Sequence, residues 1–215
     1  MTQLPILYSF RRCPYAMRAR MALLLGGKTV RVREIILREK PAEMLEASPK
    51  GTVPVLVLPD GQVIDESLEV MDWALGGDVS QASEDVQALI SRNDGPFKHH
   101  LDRYKYATRY EDVDETAHRD AGAAILTDYN ERLTRDDYLG GAAPGLADFA
   151  VFPFVRQFRI ADPDWFDAQD WPALKAWLNE MMGAAIFTAI MPKWPLWLKT
   201  GEEPILGPAL LSKNA

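Results

Sequence analysis

The sequence holds one cysteine in 215 residues, Cys13, so no disulfide can close within the chain and no Cys₂ or Cys₄ metal site or two-cysteine redox pair can form in it. Long apolar runs are also missing. Stretches such as Met21-Ala22-Leu23-Leu24-Leu25 are far too short to cross a bilayer, and no basic region leads into an apolar run and a cleavage site at the N-terminus. The 14 glycines and 15 prolines are spread along the chain, which excludes collagen-like repeats and long disordered tracts. Histidine is scarce: His99, His100 and His118 form no metal-ligand pattern with each other or with an acid and are expected to face solvent, so no metal is expected. What remains is the composition of a globular protein for which the cytoplasm, a compartment that keeps thiols free, is the expected location.

The net charge is −7, which argues against duplex nucleic acid as a partner. Its distribution is uneven. Residues 1–40 carry nine basic side chains (Arg11, Arg12, Arg18, Arg20, Lys28, Arg31, Arg33, Arg38, Lys40) against Glu34 and Glu39, a balance of +7. Such a segment either draws a small anion or forms a solvated charged face.

Apolar spacing and turn residues predict strands at 4–9, 29–35, 53–58 and 62–64 and helices at 14–25, 41–47 and 66–75, in the order β-α-β-α-β-β-α. Residues 76–83 are small and polar, as a linker would be. Helical spacing then covers 86–110, 116–133, 146–160, 172–182 and 184–191, and the proline-containing stretch from Pro192 onward is expected to lie as an extended tail on the helical domain. The expected architecture is a mixed domain over 1–75, a linker over 76–83 and an all-helical domain with its tail over 84–215.

Cys13 lies between a predicted strand and a helix opened by Pro14. Unpaired N–H groups and the positive end of the helix dipole converge there, and Arg11 and Arg12 precede it, a setting that favours thiolate over thiol. The ordinary alternative is a small buried side chain. A nucleophilic thiolate with no resolving cysteine needs a thiol from outside, and glutathione is the obvious cytoplasmic candidate.

Tyr8-Ser-Phe-Arg-Arg-Cys-Pro-Tyr-Ala16, Ser48-Pro-Lys-Gly-Thr-Val-Pro-Val-Leu56 and Asp65-Glu-Ser-Leu68, in this order and spacing, resemble the glutathione transferase superfamily, and within it the cysteine-bearing, omega-like and glutaredoxin-like classes. The resemblance implies a thioredoxin-like N-terminal domain followed by an all-helical C-terminal domain. It implies that Val53 presents its backbone to glutathione ahead of a cis Pro54, that Glu66 and Ser67 take the γ-glutamyl end, that Lys40 takes the glycyl carboxylate, and that Cys13 forms the mixed disulfide. Taken singly, Glu66-Ser67 also reads as a plain helix start with Ser67 as cap, and Lys40 as surface charge. Tyr8 and Ser9 offer a minor, hydroxyl-based version of the chemistry. Gly145-Leu-Ala-Asp148 matches the buried helix start of the family with glycine in place of the usual hydroxyl, and Asp148 is expected to bond back to the Gly145 N–H. Tyr104, Tyr106, Tyr110 and Trp165 are either core or lining for a second substrate.

The function so implied is that of a glutathione-dependent thiol transferase or reductase with weak classical conjugation, using glutathione as co-substrate with a small electrophilic or disulfide substrate and working as a two-fold homodimer, with neither nucleic acid nor membrane as a partner. The other implied class is a non-catalytic interaction protein on the same fold, similar to the stringent starvation proteins that bind RNA polymerase.

Overall fold

The structure of the protein, a computed structural model, describes residues 3–211. Strand β1 (Ile6–Ser9) runs into helix α1 (Pro14–Leu25), followed by β2 (Val30–Glu34), α2 (Ala42–Ala47), β3 (Val55–Val57), β4 (Val63–Ile64) and α3 (Ser67–Leu75). This is the expected order. The α1 crossover returns the chain in the same direction, so β1 and β2 are parallel with Leu7 opposite Val32, whereas β3 pairs antiparallel with β1, and β4 with β3. Val30 and Val32 point into the core while Arg31 and Arg33 point outward, the alternation that the sequence predicts.

Helix α1 begins with Pro14, whose missing N–H has no partner to lose in a first turn, and it is buried on nearly every face. It ends at Gly26, where a Cβ would lie 2.0 Å from the Ala74 carbonyl oxygen of α3. Glycine at this one position lets the two helices close on each other.

Residues 82–182 form a separate compact unit of helices: α4 (Glu84–Arg92), α5 (Lys98–Lys105), α6 (Glu115–Leu133), α7 (Leu146–Ala161), α8 (Pro163–Ala168) and α9 (Pro172–Gly183). The single helix expected over 86–110 is interrupted by a π-helical turn at Asn93–Phe97, because Pro96 gives no N–H to the ladder and its ring crowds the preceding turn. Asp162-Pro163-Asp164 reads as a turn in the sequence yet opens α8: Asp162 caps the Trp165 N–H at 3.0 Å and Pro163 takes the first helical position. Asp148 bonds back to the Gly145 N–H at 3.0 Å, as expected. It also accepts from the Leu139 N–H and from the Trp177 indole, each at 2.8 Å.

The tail departs from expectation. After α10 (Ala185–Ala189) and α11 (Trp197–Thr200), strand β5 (Ile205–Leu206) pairs antiparallel with β2, giving a sheet in the order β4-β3-β1-β2-β5. Residues 183–211 thus belong with the N-terminal unit. The reason is the open edge of β2: Val32 donates to the Pro204 carbonyl at 2.8 Å, and Glu203 takes both Arg31 at 2.7 Å and Arg33 at 2.6 Å. Among the described residues no helix is long and apolar enough to cross a membrane.

Candidate functional site

Cys13 closes the loop between β1 and α1. Its N–H donates to the Phe10 carbonyl at 3.0 Å and its carbonyl accepts the Met17 N–H at 2.9 Å, so the sulfur stands at the first turn of α1. The thiol, half-buried, donates to the Val53 carbonyl at 3.6 Å across 40 residues of chain. The peptide between Val53 and Pro54 is cis, and Tyr8, Ala16 and Val55 form the apolar floor on which Cys13 packs.

Two arginines of α1 are buried with it. Arg20 lies two turns beyond Cys13, on the same face by helical geometry. It donates to Ser9 Oγ, to the Arg11 carbonyl at 2.8 Å and to the Phe10 carbonyl at 3.5 Å, which fixes the loop that carries the cysteine. Full burial lowers the Arg20 pKa to about 10; the Glu34 carboxylate and the Cys13 sulfur oppose that shift, and the group stays a cation at neutral pH. Glu34, whose Oε1 takes the Arg11 N–H at 2.6 Å, is itself pushed up by burial.

Arg18 reaches the other end of the site. Its Nε and one terminal nitrogen lie 3.0 and 2.8 Å from Ser67 Oγ at the first residue of α3. Ser67 therefore does not cap the helix; Glu66 holds the cap position and extends into solvent. The Glu66 carboxylate meets Lys50 Nζ at 2.6 Å, and Lys50 also meets Asp65 at 3.0 Å while Ser48 donates to Asp65 at 2.6 Å. These bonds hold the Asp65 carboxyl below the usual carboxylate range, the Ser48 hydroxyl contributing most, and raise the Lys50 ammonium. Lys40 is exposed and its Nζ is 3.1 Å from where a Cβ of Gly51 would stand. Gly51, with φ +63°, needs no side chain there.

One loop, 48–54, thus meets most of the expected residues: Val53 meets Cys13, Gly51 lies beside Lys40, and Ser48 and Lys50 bind the 65–66 pair ahead of Ser67, which is held by Arg18 instead. The start of α3 offers helix N–H groups, the Ser67 hydroxyl and the Arg18 charge, which suit a carboxylate; exposed Glu66 suits an ammonium; the Val53 backbone suits an extended peptide.

Sequence reading missed Arg18, Arg20 and Lys50 as members of this site. In the charge count Arg18 and Arg20 are part of a solvent-facing attractor, but both are buried, and Arg31 and Arg33 are occupied by Glu203. The hydroxyls of Tyr8 and Ser9 accept from Arg33 at 2.6 Å and from Arg20, and burial raises the Tyr8 pKa, which keeps that hydroxyl protonated. In the helical unit Tyr104 is buried against Phe158, which makes it core; Trp165, half-buried, packs on Phe158 and Trp171, and the Tyr106 hydroxyl binds Gln157 at 2.9 Å. The histidines are the other correction: their spacing gives no pattern, yet α5 packing on α6 gathers His99, His100 and His118 into one cluster, with only His99 fully exposed.

Residues 7–77 match the glutathione S-transferase N-terminal domain family and residues 92–180 the C-terminal domain family. The chain is 26% identical over 188 residues to glutathione S-transferase omega-1 of Sus scrofa, covering 81% of this chain and 75% of that protein. It is likewise 26% identical over 194 residues to pyrimidodiazepine synthase of Drosophila melanogaster, covering 81% and 75%. A glutathione S-transferase of Methylobacillus flagellatus, solved with glutathione bound, shares the fold at a TM-score of 0.75 and 20% identity, covering 87% of this chain and 99% of that one. With both domain families matched in order on a thioredoxin-like sheet followed by helices, the chain belongs to the glutathione S-transferase family and is a glutathione S-transferase-like enzyme.

Proposed function

We propose that the protein is a glutathione-dependent thiol transferase in which Cys13 carries the glutathionyl group. The Cys13 thiolate attacks the glutathione sulfur of a mixed-disulfide substrate; the S–S bond breaks, and the substrate sulfur leaves as a thiolate that takes a proton from water. A second glutathione thiolate then attacks the glutathione sulfur now bonded to Cys13, forming glutathione disulfide and returning Cys13 as a thiolate. Each turnover exchanges the substrate's mixed disulfide for glutathione disulfide, consuming one glutathione thiol and releasing one substrate thiol, so no further oxidant is needed.

The binding roles follow from chemistry. Val53, ahead of Pro54, pairs with the cysteinyl part of glutathione as an added strand would, Ser67 and the start of α3 hold the γ-glutamyl carboxylate, Glu66 takes its ammonium, and Lys40 the glycyl carboxylate. The reading extends to a small electrophilic or disulfide second substrate, a two-fold homodimer and a cytoplasmic setting. The observation that carries it is the Cys13 sulfur at the N-terminus of α1, 3.6 Å from the carbonyl of Val53. The resemblance of the bound-glutathione relative supports it at the level of fold.

The test is glutathione-disulfide transhydrogenase activity in the wild type and in Cys13→Ser. Loss of at least about a hundredfold in the variant is expected, in keeping with removal of a covalent nucleophile. Equal rates take Cys13 out of the mechanism, and no activity in either protein contradicts the thiol-transferase reading.

A further inference from the structure

His99 and His100 on α5 and His118 on α6 stand in mutual contact. Their ring centroids are 5.1 Å (His99–His100), 5.4 Å (His99–His118) and 5.1 Å (His100–His118) apart. The Nδ1 atoms of His100 and His118 face each other at 2.9 Å, and one ring nitrogen from each of the three residues lies within 4.8 Å of one from each of the others. Two facing nitrogens at that distance have room for a single proton between them. A metal ion in place of that proton needs both rings to turn until their lone pairs converge on it.

A ligating imidazole is neutral, and the neighbours of His99 and His100 act in that direction. His99 is lowered below its ordinary value by partial burial and by Arg103 and His118, with Asp102 opposing; His100 is lowered by burial and by His118, His99 and Arg103. Elsewhere around the cluster, Lys98 is paired with Asp102 and Arg119 with Asp120. One side is open: His99 is exposed and the other two are half-buried, so an ion can enter from solvent and keep a water as a further ligand.

We propose that His99, His100 and His118 form a binding site for one divalent transition-metal ion of the zinc, cobalt or nickel type, bridging α5 and α6. Three imidazoles are a full protein ligand set for such an ion, and imidazole is the donor these metals prefer among the side chains available here. Tetrahedral binding at zinc–nitrogen lengths needs the ligating atoms about 3.4 Å apart, so side-chain rotation has to open the 2.9 Å His100–His118 pair slightly and draw His99 in. Arg103, which shares a 2.9 Å contact with His99 Nδ1, must yield that atom or leave His99 to bind through Nε2.

The test is titration of the untagged full-length chain with Co²⁺, read by its visible absorption, followed by displacement with Zn²⁺. One ion per chain is expected at micromolar protein, with a rise in melting temperature on adding Zn²⁺. Cys13→Ser is expected to leave both readouts unchanged, which separates this site from thiolate binding. His118→Gln and His100→Gln, checked for native circular dichroism, are expected to weaken binding at least about tenfold and to abolish the thermal shift. Absence of stoichiometric binding to the wild type overturns the proposal, whatever the variants do. So does unchanged binding in a folded His118→Gln protein, or binding lost with Cys13→Ser.

Discussion

Arg18 reaches Ser67 with two nitrogens of one guanidinium, 3.0 and 2.8 Å from the same hydroxyl oxygen and 49 residues away in the chain. Both residues are buried. The hydroxyl accepts in both bonds, which leaves its own hydrogen to donate, and it is held at the N-terminus of a nine-residue helix. A neutral hydroxyl at the start of α3 is thereby backed directly by a full positive charge.

Ser67→Ala removes that acceptor and leaves a buried guanidinium short of a partner. The expected cost is about 1–3 kcal/mol, read as a fall in the urea midpoint, together with a rise of about tenfold in the glutathione dissociation constant by calorimetry. Unchanged affinity in the folded variant contradicts the role given to the start of α3.

Arg20 and Glu34 predict opposite effects on the thiol. Arg20→Met removes a buried cation whose charge acts on the Cys13 sulfur, so the midpoint of iodoacetamide alkylation against pH moves up. Glu34→Gln removes the anion that offsets Arg20 and moves it down. The wild-type midpoint is expected below the free thiol value of about 8.5. Arg20→Met also takes a donor from Ser9 Oγ and from the Arg11 and Phe10 carbonyls, of which Phe10 keeps the Cys13 N–H, and is expected to cost about 3–5 kcal/mol, whereas Glu34→Gln keeps an oxygen for the Arg11 N–H. Shifts of the same sign in both variants contradict the electrostatic account.

How far the sequence led is clearest in these residues. The strands and helices of 4–75 were legible because alternation, Pro14 and the glycine pairs punctuate them locally. Cys13, Val53-Pro54 and Glu66-Ser67 were visible as motifs. The burial of Arg18 and Arg20 was not, because an arginine in an apolar helix has the same local pattern whether it meets water or a serine 49 residues on. Strand β5 is two residues long, too short to show a period, and owes its place to the open edge of β2. The histidines met only through the packing of two helices, which no spacing encodes.

Lys50 binds the Glu66 carboxylate at 2.6 Å, where the proposed function puts the ammonium of glutathione. Lys50 is half exposed and Glu66 more so, and exposed pairs of this kind contribute at most about 1 kcal/mol. Lys50→Met is therefore expected to leave the melting temperature nearly unchanged and to tighten glutathione binding by up to about fivefold, as the ligand no longer competes for Glu66. Weaker binding would make Lys50 an organiser of the carboxylates rather than their occupant.

Asp148 accepts three donors in the core of the helical unit: the Leu139 and Gly145 N–H groups and the Trp177 indole. Asp148→Ala strands all three and is expected to destabilise the protein by about 3–5 kcal/mol, while Asp148→Asn keeps one acceptor oxygen and loses less. Urea unfolding of the two variants measures the difference. Equal losses would mean that volume rather than hydrogen bonding sets the cost.

The central claim is that Cys13 carries glutathione, and intact mass spectrometry after incubation with glutathione disulfide tests it most directly. The account predicts one glutathionyl group per chain, located on Cys13, removed by reduced glutathione and absent from Cys13→Ser. A wild-type chain that binds glutathione yet gains no adduct from the disulfide contradicts it.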